Sequence, residues 1–257
     1  MTPTSSEVKR RATNRRLRAR TVRIARKLEK FLGVPTPAVK KAPPLEMLIA
    51  TLLSQNTNDR NSHRAYVQLR QRYPTWEGIL RAPGKELADT IRVGGMANQK
   101  SARIKNILAT VKEKCGKFDL RFLKKMTDEE VYEELLSFNG VGLKTAACVL
   151  VFSLGRDVFP VDTHIHRICG RLGLAPNCKT PEKTFEYMKG VVPKGRAYSF
   201  HTNLIRFGRT VCKSQNPRCG ICPLYSECKW AEKSKFAARL RSTQRVADAD
   251  FMLLDNV

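Results

Sequence analysis

The sequence predicts an all-α protein assembled from many short helices. Three observations carry that expectation. Apolar residues recur at helical spacing in most segments, and the alternation that marks strands is nearly absent. Glycines and prolines fall between the periodic stretches, where they act as breaks. No internal repeat of fixed period is visible. The chain has 257 residues and is 42% apolar, enough for one large or two modest domains.

The elements follow in chain order. Residues 1–30 hold eleven Lys or Arg and two Glu, about +9 of a net +25, so the remaining +16 is spread along the rest of the chain. That balance calls for a polyanionic partner, nucleic acid in preference to a membrane. No apolar run reaches the ~18 residues a membrane span needs. The start of the chain lacks the apolar core of a secretion signal, so an intracellular protein is expected. Its Arg and Ser content leaves an organelle transit peptide as the alternative to a DNA-contacting or disordered arm.

Pro44–Ser54 reads as a buried helix with proline at its entrance. Asp59 is the expected cap of the segment that stops before Pro74. Helical periodicity returns over 83–93 and 97–114, the latter with Ile104, Ile107, Leu108 and Val111 on one side. Thr127 and Glu130 form a capping box for the next helix, 129–138. Further helices are expected at 142–154, 163–172, 181–190 and 196–211.

Two of these helices flank Asn139-Gly140-Val141-Gly142. Glycines there permit unusual backbone angles and close approach of a ligand. The N–H groups that open the second helix lack intrahelical partners and face outward at the positive end of the dipole. They suit a DNA phosphate, touched without regard to sequence. An ordinary tight helix–helix turn is the alternative. A P-loop is excluded, because the glycine spacing is wrong and no strand precedes.

Lys144 stands in the first turn of that second helix. The dipole opposes a cation there by ~0.3–1 kcal/mol, and partial burial favours the neutral amine. A neutral amine is what a lysine nucleophile requires; a lysine that merely snorkels to solvent is the alternative. Asp162 precedes a predicted helix start and reads equally as an N-cap or as a functional carboxylate.

Cys212, Cys219, Cys222 and Cys228 have the spacing C-x6-C-x2-C-x5-C. Four thiols in a short loop broken by Pro217, Gly220 and Pro223 indicate a metal centre, with zinc and an iron–sulfur cluster both open. Cys115, Cys148, Cys169 and Cys178 are assigned to packing.

The motifs "NGVGLKTA", "VDTHIHR" and the cysteine spacing, in this order, resemble the endonuclease III family of helix-hairpin-helix DNA glycosylases with AP lyase activity. The resemblance runs from about Pro44 to Lys229. It implies two helical domains with a DNA cleft between them. Residues 46–156 would form a six-helix domain with the hairpin at about 129–154. Residues 1–45 and 157–235 would form a discontinuous domain around the cluster loop 212–228. Residues 1–20 and 236–257 would be flexible tails. The cluster would be [4Fe–4S], shaping a loop that presents Lys213 and Arg218 to phosphates.

The resemblance further implies that Lys144 is the catalytic lysine and Asp162 the catalytic aspartate. The substrate would be double-stranded DNA with damaged bases, oxidised pyrimidines of the thymine glycol type, or abasic sites. The enzyme would act as a monomer, with no membrane involved. Relatives that only remove mismatched bases lack a lysine at this position. His164 joins the DNA-contacting set, with Asn139, Gly140, Val141 and Gly142 of the hairpin. Three departures stand out. Asn139 replaces the family's usual proline. "LSQNTND" replaces the usual L-S-A-Q-A-T-D, so Gln55 or Asn56 would fill the gap left by the flipped base, with position favouring Asn56. Met96 stands where the family places a leucine wedge, and an apolar wedge between bases is physically sensible; packing in the core is its alternative.

Overall fold

The computed structural model describes residues 5–238, with side chains from Asn14 onward. Among these residues every regular element is helical. Two compact units form, one from Pro37–Arg156 and one from the residues before and after it in the chain. The divisions fall after Thr36 and after Arg156, whereas the sequence placed the first of them after residue 45.

The Pro37–Arg156 unit is built around α2 (Pro44–Leu53), whose nearly continuous apolar sequence is buried on all sides. Packed on it are α3 (Asp59–Arg72), α6 (Ala97–Cys115) and α8 (Leu143–Cys148). The short helices α4 (Trp76–Arg81) and α5 (Gly84–Thr90) lie against α6, and α7 (Asp128–Leu136) against α8. Ile104, Ile107, Leu108 and Val111 of α6 all face the core, as their spacing requires.

Three local details differ from the expectation. Asn58 caps α3, its side chain accepting from Asn61 N–H, while Asp59 is the first helical residue. Extended φ and ψ at Asn58 fit a cap, and the helix dipole favours Asp59 one step inside. α4 is a seventh helix in this unit. Six residues are too few to show periodicity, but the Thr75 hydroxyl accepts from Gly78 N–H and starts the turn.

The third detail concerns α8, which does not run on as an α-helix to 154. It widens at Val149–Ser153 into a π turn, with Leu154 N–H bonded to Val149 O at 3.1 Å. The Ser153 hydroxyl then donates to Ala42 O at 2.6 Å, tying the end of this segment to the chain ahead of α2.

The other unit holds α1 (Ser5–Leu32), α9 (Thr163–Leu172), α10 (Pro181–Lys189), α11 (Ala197–Thr210) and α12 (Lys233–Ala237). α11 packs against both α1 and α9. Ile24, Ala25 and Leu28 of α1 are buried, and Phe159 stacks on Phe200 with centroids 5.4 Å apart. The expected flexible arm at 1–20 is helical from Ser5 onward. The predicted tail lies outside the described residues from 239 on. No helix among the described residues is long and apolar enough to cross a membrane.

Candidate active site and cysteine loop

The hairpin is α7, a six-residue turn and α8. The capping box that opens α7 is present: Glu130 N–H donates to the Thr127 hydroxyl at 3.3 Å, and Thr127 N–H to the Glu130 carboxylate at 2.7 Å. The turn is closed by Val141 N–H to Phe138 O at 3.1 Å. Gly140 has φ +83°, and a Cβ there would come within 2.7 Å of Arg103 Cδ. Only glycine meets both conditions. Gly142 differs from the expectation, with φ −106° and open space around it, so no unusual angle demands glycine there. It is the N-cap of α8, and no side chain caps the N–H groups that follow.

Lys144 is half-buried in the first turn of α8, followed by the buried Thr145. The Thr145 hydroxyl accepts from Gln55 Nε2 at 3.3 Å, and Gln55 Oε1 accepts from Arg103 Nη1 at 3.3 Å. Gln55 is thus held in a chain from α6 to the residue after Lys144. Asn56 is exposed, with φ +52°, and its amide lies 3.4 Å from Met96 Sδ. Met96 has φ +51° and is 47% exposed, which removes the core-packing alternative.

Asp162 belongs to the other unit and is the N-cap of α9. Its Oδ1 accepts from Ile165 N–H at 2.8 Å, which fixes the carboxylate's direction. His164 is half-buried, and burial holds its pKa below the ordinary value. Its Nδ1 lies 3.1 Å from Arg167 Nη2.

Arg167 and Arg171 went unread in the sequence. One turn apart on α9, both reach the cysteine loop. Arg167 donates to Gly208 O and Cys212 O at 3.1 and 2.9 Å. Arg171 donates to Lys213 O at 2.8 Å, sits 3.4 Å from Cys212 Sγ and stacks over Trp230 at 4.0 Å. Their signal was there in the i, i+4 spacing directly after the Asp-Thr-His motif, but it is one that many exposed arginines share.

Cys212, Cys219, Cys222 and Cys228 line one recess, together with Arg171, Trp230 and Lys233. Among the described residues no three His, Cys, Asp or Glu side chains gather in a group that could hold a metal ion. Burial pushes the Cys222 thiol up to about 12, and it raises the Cys219 thiol. Negative charge on the neighbouring cysteines adds to both shifts. The four thiols share one recess and are of the chemical type that ligates a thiolate-bound centre, but they are not gathered as the ligands of a single metal ion would be. Lys213 and Arg218 are half-buried in this loop, and Pro217 is buried.

The loop is also fastened to α1. Glu227 pairs with Arg23 at 2.7 Å, Lys27 at 3.2 Å and Arg20 at 3.4 Å. Hydrogen bonding from Arg23, with help from Lys27, holds its carboxyl down to about 2. Arg20 also donates to Leu172 O at 2.6 Å and to Glu227 O. Part of the N-terminal basic charge is therefore engaged within the protein.

Comparison with known proteins agrees with this fold. The model of the family described as HhH-GPD superfamily base excision DNA repair protein matches residues 49–194. A protein of Arabidopsis thaliana named as a DNA glycosylase is 38% identical over 170 residues, which are 66% of this chain and 58% of that one. Endonuclease III of Thermotoga maritima is 37% identical over 191 residues, 74% of this chain and 85% of the relative. This chain spans 9% to 14% of a further set of plant relatives. Solved structures of endonuclease III with DNA, one non-covalent and one a trapped covalent intermediate, align with TM-score 0.71 and 27% identity. They cover 85% of this chain and 97% of theirs. The chain belongs to the HhH-GPD superfamily of base excision DNA repair proteins, within its endonuclease III family.

Proposed function

We propose that the protein is a bifunctional DNA N-glycosylase and AP lyase that removes oxidised pyrimidines, of the thymine glycol type, from duplex DNA. The observation that carries this reading is Lys144, half-buried in the first turn of α8 behind the Gly140–Gly142 turn. Family membership supports it, as does the solved covalent intermediate of endonuclease III with DNA.

The damaged nucleotide leaves the stack, because its C1′ is out of reach inside it. The amine of Lys144 attacks C1′ through its nitrogen lone pair. The N-glycosyl bond breaks, and its electron pair departs with the base. Asp162 accepts the amine proton and stabilises the positive charge that develops on the sugar. Opening of the sugar ring gives an imine between Nζ and C1′. Loss of a 2′ proton then expels the 3′ phosphate oxygen and nicks the strand by β-elimination. Water releases the lysine. Asn139, Gly140, Val141 and Gly142 grip a phosphate with backbone groups, and Lys213, Arg218 and His164 add contacts to DNA. Asn56 fills the gap left by the flipped nucleotide, since Gln55 is engaged by Thr145 and Arg103. Met96 is the wedge.

Cys212, Cys219, Cys222 and Cys228 would hold a [4Fe–4S] cluster, whose contribution is to the shape of the loop. Zinc is the alternative. A duplex with one thymine glycol tests the whole reading. Wild type should release the base and nick the strand, and Lys144→Gln should do neither. The same preparation should contain iron and acid-labile sulfide. Base release without nicking by the wild type would overturn the lyase assignment.

A further inference from the structure

Lys100 is 1% exposed, one of the largest fully buried side chains among the described residues, and the mechanism above does not use it. Burial pushes its amine down to about 8. An ammonium in such a place is costly, and an apolar residue of similar volume would normally serve packing better. What the cation does there is specific. Nζ donates to Leu53 O at 2.8 Å and to Gly94 O at 2.8 Å.

Leu53 is the last residue of α2, and its carbonyl is one of those a helix end leaves without an intrahelical partner. A cation there also meets the negative end of the helix dipole. Gly94 closes the short 3₁₀ turn Arg92–Gly94. The backbone N–H of Lys100 itself donates to Met96 O at 2.9 Å. One residue therefore holds the Gly94–Met96 turn at two points and the end of α2 at a third.

Each of the two segments so joined leads within three residues to an exposed residue with left-handed backbone. Leu53 leads to Asn56, φ +52°, and Gly94 to Met96, φ +51°. Asparagine enters this region readily, but methionine seldom does, and such conformations in larger residues concentrate where the surroundings impose them for function. The two side chains touch, amide to sulfur, at 3.4 Å.

We propose that Lys100 is a positioning residue whose buried ammonium bolts the end of α2 to the Gly94–Met96 turn, so that Asn56 and Met96 enter the duplex as one preformed pair. The inference rests on the reading of Asn56 and Met96 as the residues that open and fill the duplex. Held in advance, the pair loses no freedom at the moment of insertion, and a small misplacement carries a large kinetic penalty.

The test compares borohydride trapping on two substrates, an abasic site in a duplex and the same strand alone, which has no partner strand to part from. Lys100→Met should slow trapping on the duplex roughly ten- to a hundredfold and leave the single strand unchanged. In an Asn56→Ala/Met96→Ala background, Lys100→Met should add no further duplex-selective loss. Equal loss on both substrates, no loss on the duplex, or additive losses would each overturn the clamp. Absence of any wild-type adduct would overturn the enzymatic reading beneath it. Should circular dichroism show Lys100→Met unfolded, Lys100→Gln, which keeps amide donors, is read in the same way. A smaller duplex-selective loss is expected, and an equal loss on both substrates contradicts the proposal.

Discussion

Gly140 shows how narrowly one residue is specified. Its φ of +83° excludes most side chains by about 1–2 kcal/mol. A Cβ would also displace Arg103, whose guanidinium holds Gln55. Gly140→Ala should therefore lower stability by about 1–3 kcal/mol. Gly142→Ala, with φ −106° and open space, should cost less than about 1 kcal/mol as a weaker N-cap. Denaturant unfolding of the two variants checks this, and equal losses would contradict it. Single residues were unevenly legible in the sequence. Lys144 and the four cysteines stand out because their neighbours are informative. Gln55 and Asn56 are adjacent amides, and only backbone angle and hydrogen bonding separate them. Lys100 is one cation among 48 Lys and Arg, and nothing beside it announces burial.

Among the elements, α1 departs most from its sequence reading. Its basic residues dominate the composition and suggest a solvated arm. Yet Ile24 and Leu28, one turn apart, are buried, and α1 packs against α11. Glu227, inside the cysteine loop, then collects Arg20, Arg23 and Lys27. Its carboxyl titrates at about 2 when folded and near 4.5 when free. The pairing therefore stabilises the fold above the free value and is lost as pH falls toward 2. After allowance for solvent screening, Glu227→Gln should cost about 1–2 kcal/mol at neutral pH, a fall of a few degrees in Tm. The gap between wild type and variant should close between pH 4.5 and 2. A gap independent of pH, seen in paired thermal melts, would remove this charge latch. The long helices were legible because their periodicity spans several turns. α4 is too short for that, and the π turn after α8 has no marker in an unbroken apolar run.

At the scale of the whole molecule, the side chains assigned to the proposed site are drawn from both compact units. Lys144, Asn56 and Met96 come from Pro37–Arg156, and Asp162, His164 and the cysteine loop from the other. Order along the chain made the family legible, because three short motifs in sequence specify a family far more tightly than any one of them. The central claim is that the Lys144 amine forms the covalent bond to DNA. Its most direct test is peptide mapping of the adduct trapped by borohydride on an abasic duplex. The account predicts one cross-linked peptide carrying Lys144 and no adduct from Lys144→Gln. A cross-link at another lysine, or an undiminished adduct from the variant, would contradict it.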